Sequence, residues 1–592
     1  MTWLRYLLLI NLLASAGLAK EDAPTGGRDL ISAERRTPNF LKARVSGGGA
    51  GSSRVVSVDH PEFGEALILT VTKQPQNTWD ANIRAIATGA VKKGDSLLIG
   101  FWARGKAMNG PGGGVAEMVF ERHGQPYTKS VQYLVETPTD GRWQHFWVRL
   151  KSQEDYAPGE SLVAFQAGYL PATFELGGLE AYNYGDRPLK ELPHTPLTYV
   201  GREADAVWRA EAEKRIDRYR KAGLTISVVD GKGAPRPGVP VELTMNRLAF
   251  DLGSAVKSQL IAKDTPDAEK YKETFLTHFN LGVVENGFKW RHWDKWPGNR
   301  RQALNALKWL NDNNVPVRGH VLVWPGFGHL PPWMKELTER NPAGLPAAIE
   351  KHIKEMTTIL GDDVRDWDVL NEVFSNRDLT KALGDQAMVE WFKSAQRHSP
   401  NTRRFYNDYA GLVRGGFPTG HKAHFEKTLR FLIDNGAPID GIGIQGHFGS
   451  LLTPPHRLYH ELDRWGALDR DILITEFDVT VPGDQLRADY VRDFMTLCFS
   501  HPKVTGIVSW GFWSNAHWRS QSAFFDADWN LTPMGREWIK KTKEWRTDLN
   551  TKTDENGQVR IRAFLGDYSV KSGNMNKTFQ HRKTGSAVTL RR

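Results

Sequence analysis

Trp367–Phe374 reads WDVLNEVF. It lies between two polar runs, GDDVRD (361–366) and SNRD (375–378). Asp368–Leu370 read as the end of a buried strand, and the strand then finishes on an amide and a carboxylic acid, Asn371 and Glu372. Such a pair is either a helix cap or solvated turn, or an acid held at the mouth of a barrel. The surrounding sequence decides between them. Seven further short apolar runs recur after Leu248: AFDLGSAV (249–256), FNLGVVE (279–285), PVRGHVLVW (316–324), RRFYNDYA (403–410), GIGIQGHF (441–448), DILITEFDV (471–479) and GIVSWGF (506–512). Longer amphipathic stretches lie between them, among them RQALNALKWLNDNN (301–314) and PAAIEKHIKEMTTIL (346–360). Eight strand–helix units over about 300 residues predict a (β/α)8 TIM barrel. An open doubly wound sheet shares the alternation, but no GxGxxG or P-loop follows a strand to favour it.

In such a barrel the site lies at the carboxyl ends of the strands. Polar residues collect at seven of the eight ends. The second leads into Glu285, Asn286, Lys289 and Trp290, and the third contains His320 and Trp324. The fourth ends on Asn371 and Glu372, the fifth on Asn407 and Asp408, the sixth on Gln445 and His447. The seventh ends on Glu476 and Asp478, and the eighth carries Trp510 and leads to Trp513, Trp518 and Arg519. Any one of these could be a cap or a buried hydrogen-bonded group; a coincidence at seven ends is improbable. Two glutamates on different strands suit glycosidic cleavage, in which one protonates the leaving oxygen while the other attacks the anomeric carbon or activates water. Their environments must differ, so that one stays protonated and the other ionised. His447 and Asp478 are placed to supply that difference, Asn371 to bind a sugar hydroxyl, and Trp290, Trp324, Trp510 and Trp518 to stack on sugar rings. The same residue types also bind metals, but there is no HExxH or close His–x–His spacing, and no GxSxG follows a strand. No metal or organic cofactor is expected.

Outside the barrel, residues 28–186 are rich in short alternating runs with Gly and Asp turns, predicting an antiparallel, jelly-roll-like β-sandwich. Its Trp79, Trp102, Trp143 and Tyr182 are either sugar-stacking or core residues. Residues 187–245 read as a linker, a helix ending near Lys221 and Gly223, and a small hairpin of LTISVVD and PVELTMN; 246–548 form the barrel, and 549–592 a small β appendage. Residues 1–19, with Arg5, an apolar Tyr6–Leu13 and small Gly17 and Ala19, read as a signal peptide, so a secreted or periplasmic protein is expected, with an uncleaved anchor as the alternative. No segment reaches the length of a membrane span. The 592 residues include one cysteine, Cys498, so no internal disulfide forms, and it is expected to be a small buried apolar residue. The net charge of +10 accompanies no nucleic-acid motif and reads as a solvated surface. A monomer is expected.

GHVLVW, WDVLNE, GIGIQGH, ITEFDV and WGFW…HWR resemble, in order, the motifs of glycoside hydrolase family 10, mostly endo-β-1,4-xylanases, and ENGFKW resembles its substrate-binding segment. The resemblance covers about residues 246 to 547. It implies a (β/α)8 barrel that retains anomeric configuration, with Glu372 as acid/base, Glu476 as nucleophile, and His447 and Asp478 supporting it. It further implies that Asn371, His320, Gln445 and Trp510 bind the sugar at the cleavage point and Glu285, Asn286 and Lys289 the next sugar. Two positions depart: Pro325 stands where the family usually has histidine, removing a polar group, and the run WGFWSNAHW puts Trp513 where an extra indole could narrow the cleft. The N-terminal sandwich looks like the carbohydrate-binding or galactose-binding-like modules often joined to such barrels. The expected function is cleavage of internal bonds of xylan by double displacement, the partner being the polysaccharide. A β-1,4-glucanase and a non-catalytic polysaccharide-binding protein are the alternatives.

Overall fold

The computed structural model describes residues 21–31, 41–46, 48–109, 112–295, 297–449 and 451–592. The segment read as a signal peptide, 1–19, lies outside the described residues. The chain divides into two compact units, Met1–Val200 and Gly201–Arg592.

In the first unit the strands form two antiparallel sheets, one of six strands and one of five. Alternation along each strand sends every second side chain inward. Leu67 and Leu69, Ile99 and Phe101, and Phe174 of one sheet share a buried core with Ile83 and Ala85, Met118 and Phe120, and Val163 and Phe165 of the other. Phe101 meets Phe165 edge to face, with centroids 4.8 Å apart. This is the antiparallel β-sandwich that the alternation predicts.

The second unit is built on eight parallel strands: Asp251–Val256, Leu281–Val284, Val317–Gly319, Asp366–Asn371, Arg403–Asp408, Gly441–Ile444, Asp471–Val479 and Val504–Ser509. Each pairs with the next, and the first pairs with the eighth, Asp251 opposite Gly506 and Ser254 opposite Ser509, so the sheet closes. Both faces of the sheet are covered, which is why these strands read as short, nearly continuous apolar runs. Ala255, Val283, Phe405, Leu473 and Val508 fill the interior. The helix Leu345–Leu360 buries Leu345, Ile349, Ile353, Met356 and Leu360 along one stripe, the spacing of a helix lying on a sheet. Cys498 is fully buried, as its apolar surroundings in the sequence suggest.

Two register shifts fall next to the glutamates. Between the fourth and fifth strands, Asp368 faces Phe405 but Leu370 faces Tyr406. Between the seventh and eighth, Ile474 faces Ile507 but Phe477 faces Ser509. Such bulges bend a strand and re-aim its side chains. Glu372 follows the first bulge and Glu476 sits within the second.

The flanking segments differ from the sequence expectation. The helix Val207–Arg220 ends at Lys221, but Gly223 lies within the next strand, Lys221–Val229. That strand and Pro240–Leu248 do not pair as a hairpin. The first runs between Gln558–Phe564 and Ser586–Arg591, and the second between Leu549–Lys552 and Gly566–Ser572. The tail read as an appendage therefore supplies the ladder partners of the segment before the barrel. A lone two-stranded hairpin is marginal in water, and sharing four tail strands between the two gives each a sheet.

Arg220 fastens this assembly to the barrel. Its guanidinium donates to the carbonyls of Phe499 (2.6 Å), His501 (2.6 Å) and Val504 (2.7 Å), and lies against the rings of Phe250 and Phe499. Burial pulls its pKa down to about 10, still charged at neutral pH. Arg220→Met keeps the apolar stem but leaves three buried acceptors without their donor. A loss of about 2–3 kcal/mol is expected, read as a lower midpoint in urea denaturation; an unchanged midpoint would contradict this role.

Candidate active site

In a strand, consecutive side chains point to opposite faces, so Asn371 and Glu372 should not both reach one site. The backbone at Glu372 breaks that rule. Its φ is +52°, in the left-handed region that non-glycine residues seldom occupy. Together with the bulge before it, this turn lets two neighbouring side chains serve one cleft. The amide of Glu372 is held by the carbonyl of Asn407 (2.9 Å), and its own carbonyl accepts from the amide of Asn376 (3.1 Å).

The carboxyl of Glu372 accepts from Gln445 Nε2 (2.8 Å). Burial pushes its pKa up, the charges of Glu476 and Asp408 add to this against the Gln445 bond, and it settles at about 7. Glu476 is also buried, which by itself would raise it. The His447 hydrogen bond and the neighbouring cationic groups outweigh burial and hold it below the usual carboxylate value. Glu476 Oε1 accepts from Asn407 Nδ2 (3.0 Å) and Oε2 lies 3.2 Å from His447 Nε2. The other ring nitrogen, Nδ1, lies 2.8 Å from Asp478 Oδ2. Burial disfavours the charged ring, but two carboxylates on its two nitrogens raise His447 to about 9. At neutral pH it is an imidazolium donating to both. Asp478 further accepts from Trp518 Nε1 (2.9 Å) and Arg519 Nη1 (3.0 Å).

Asn407 couples the two halves of the site. Its Nδ2 also donates to Asn371 Oδ1 (2.9 Å), while its Oδ1 accepts from Thr475 (2.6 Å). Asn371 is thereby oriented with its own Nδ2 buried and left without a hydrogen-bond partner. On the opposite side, Lys257 pairs with Glu285 (2.6 Å), Asn286 donates to Glu285 (3.2 Å), and Lys289 donates to Asn286 (2.8 Å). Burial pulls Lys289 down, and Glu476, Glu285 and Glu372 oppose that. His320 is held by Asp368 (2.9 Å), which also pairs with Arg318, and its ring lies edge-on to Trp510 at 5.4 Å.

The residues singled out at the ends of the second to eighth strands, Asn407 of the fifth among them, are thus joined by these contacts into clusters at the carboxyl end of one barrel. Trp290 is an exception: it is buried and stacks on His352 at 3.9 Å, so it packs a helix rather than walling a cleft. Trp513 is likewise buried, stacked on Trp529 at 4.5 Å, which turns the extra indole to packing. Beside Pro325, Trp324 stacks on His329 at 3.5 Å, so an imidazole from four residues later occupies this region. Asp368, Lys257, Asn376 and His329 join these contacts without standing out in the sequence. Each acts through a neighbour brought close by the ladder or by a loop, and nothing local in the sequence marks it. Among the described residues no group of three or more His, Cys, Asp or Glu side chains is arranged to hold a metal ion.

His447→Asn removes the bridging charge. Glu476 should then rise, moving the acidic limb of the pH–activity profile to higher pH, with the rate reduced on the order of 10²-fold. The folding stability that His447 contributes is fully present below about pH 6.5 and is lost as pH rises through about 9. The variant should flatten that decline in urea titrations; an unchanged slope between pH 6.5 and 9 would refute the bridge.

A sequence model described as glycosyl hydrolase family 10 matches residues 244–540. Among curated relatives, anti-sigma-I factor RsgI6 of Acetivibrio thermocellus is 29% identical over 381 residues, 64% of this chain and 48% of that protein. Endo-1,4-beta-xylanase 1 of Arabidopsis thaliana is 28% identical over 385 residues, 64% of this chain and 40% of that protein. Endo-1,4-beta-xylanase B of Thermotoga neapolitana is 27% identical over 317 residues, 50% of this chain and 89% of that protein. The chain spans less than half the length of the first two. Because the family match takes in half of the sequence and every barrel strand, this chain belongs to glycosyl hydrolase family 10.

Proposed function

We propose that this protein is a retaining endo-β-1,4-xylanase, exported from the cell, that cleaves xylan by double displacement. The observation that carries the reading is the unlike surroundings of two buried glutamates at the barrel mouth: Glu372 receives only a neutral amide from Gln445 and is shifted up to about 7, whereas Glu476 meets the His447–Asp478 pair and is shifted below its ordinary value. An acid catalyst must hold a proton at working pH and a nucleophile must not.

In the first step a Glu476 oxygen attacks the anomeric carbon. The bond to the leaving oxygen breaks, its electron pair stays with that oxygen, and Glu372 delivers its proton there. In the second step water attacks the same carbon, Glu372 takes the proton from water, and Glu476 leaves as carboxylate. Gln445 orients Glu372, and Asn407 and His447 orient Glu476. Asn371 meets the sugar at the cleavage point, with His320, Gln445, Trp324, Trp510 and Trp518 around it and Glu285, Asn286 and Lys289 at the next sugar. The endo-1,4-beta-xylanase names of two relatives support xylan as the polymer. Export rests on the composition of residues 1–19; among the described residues no helix is long and apolar enough to cross a membrane.

The test is release of reducing ends from xylan and from a soluble β-1,4-glucan, with the anomer of the first product read by NMR. Xylan cleavage with retention is expected. Glu476→Ala should abolish it. Glu372→Ala should lose xylan cleavage yet still release an activated aryl leaving group, which needs no proton. Cleavage of the glucan alone would replace the substrate, and inversion would overturn the mechanism. In wild type, kcat/KM should fall as pH rises through about 7, where free Glu372 loses its proton.

A further inference from the structure

The left-handed turn at Glu372 leads the chain into Val373–Asn376, and that segment is held by the fifth strand and the helix after it. The hydroxyl of Tyr406 bonds the backbone of Val373 and donates to Asp408 Oδ2 (2.8 Å). Ser375 Oγ and the Tyr409 hydroxyl share a hydrogen bond. The ring of Phe374, 41% exposed, lies flat against His421 with centroids 4.3 Å apart, and Tyr409 meets the same imidazole edge-on at 4.2 Å. Asn376, at the end of the segment, reaches back to the glutamate. Its Nδ2 lies 3.2 Å from the carbonyl of Glu372 and 3.4 Å from Oε2. Where the segment sits therefore bears on where the carboxyl sits.

His421 is the second residue of the helix Gly420–Asp434, whose start is capped by Thr419 accepting from the amide of Lys422 (3.0 Å). From there its Nε2 lies 2.7 Å from Asp408 Oδ1, which also accepts from the amide of Tyr409 (2.7 Å). Asp408 is fully buried. After burial, the charges of Glu476 and Asp408 are what raise Glu372, against Gln445 and His447. His424, one turn along the helix, meets Phe374 edge-on at 5.4 Å, and burial and Arg377 hold it below its ordinary pKa. One imidazole thus touches both the anion beside Glu372 and the open ring two residues after it.

We propose that His421 is a positioning residue for Glu372: bonded to Asp408 and stacked on Phe374, it holds both the charge beside the acid and the segment that follows it. That Glu372 is the acid rests on the activity proposed above; the contacts of His421 do not. Without the imidazole, Phe374 loses its flat partner and Asp408 a hydrogen bond. The segment then loosens, and water reaches the Glu372 carboxyl.

The test compares kcat/KM on xylan, whose leaving oxygen needs a proton, with kcat/KM on dinitrophenyl β-xylobioside, whose leaving group does not. His421→Ala should lose about tenfold or more on xylan and about threefold or less on the aryl substrate. His421→Gln keeps a donor near the place of Nε2 and should regain most of the xylan rate. Should the Ala variant fail to fold, His421→Phe, which keeps the stack and drops the donor, takes its place with the same expectation. Equal losses on the two substrates would make His421 a packing residue and overturn the proposal. The second readout is the titration of Glu372 by carbon NMR in protein labelled at the glutamate carboxyls, assigned with Glu372→Gln. The midpoint should fall by about half a unit or more in Asp408→Asn, which removes a like charge, and in His421→Ala, which admits water. A midpoint left in place or raised by His421→Ala overturns the proposal. If the wild type cleaves only a soluble β-1,4-glucan, the same comparison is made with it and dinitrophenyl β-cellobioside. If it cleaves neither polymer, the activity reading falls and the titration alone decides the positioning. If xylan is cleaved and the His421→Ala losses are equal, the activity reading stands and the positioning falls.

Discussion

A single imidazolium holds the chemistry together. His447 donates one nitrogen to Asp478 and the other to Glu476, and all three groups lie where water is scarce. A buried charge without a partner costs several kcal/mol, and neutralising it is normally cheaper. Here each charge is answered: Asp478 by His447 and Arg519, Glu476 by His447 and the Asn407 amide. The ionised state of Glu476 is therefore a property of this chain of contacts. Glu372 lies outside it. Its carboxyl receives a neutral amide from Gln445 and feels the charge of Glu476, so the same burial that Glu476 overcomes leaves Glu372 protonated to higher pH. The two roles proposed for these glutamates trace to one difference in partners.

The backbone contributes as much as the side chains. A regular ladder would send Asn371 and Glu372 to opposite faces, and would give Thr475 and Glu476 an unbroken alternation. The bulge before Glu372, the bulge around Glu476 and the left-handed turn at Glu372 undo this. A left-handed conformation costs a non-glycine residue about 1–2 kcal/mol, and it persists because the carbonyl of Asn407 and the amide of Asn376 clamp both sides of the residue. Backbone strain of this kind clusters at active sites, and here it falls on the glutamate proposed as the acid.

Away from the cleft, the barrel is flanked by sheets drawn from both sides of it in sequence. Lys221–Val229 and Pro240–Leu248 take their neighbours from beyond residue 548. Arg220 reaches from the end of the preceding helix to three carbonyls around the turn before the eighth strand. The chain must therefore be complete to Arg591 before these strands have all their partners, although the barrel strands themselves pair in order.

The amino-acid sequence by itself determined the barrel, its eight strands and the strand ends on which Glu372, Glu476, His447 and Asp478 stand. Burial on both faces forces short apolar runs, and polar residues at their ends stand out against them. It also determined the alternating strands of the sandwich, because one buried face per sheet imposes a period of two. Tertiary structure alone decided which glutamate keeps its proton, since that depends on groups from other strands whose distance no spacing encodes. It decided that Trp290 and Trp513 are packing residues while Trp79 is 57% exposed, because an indole reads the same in sequence whether or not a neighbour covers it. It decided, too, that Lys221–Val229 and Pro240–Leu248 are not a hairpin: a strand's alternation says which face is buried and nothing about which distant strand lies beside it.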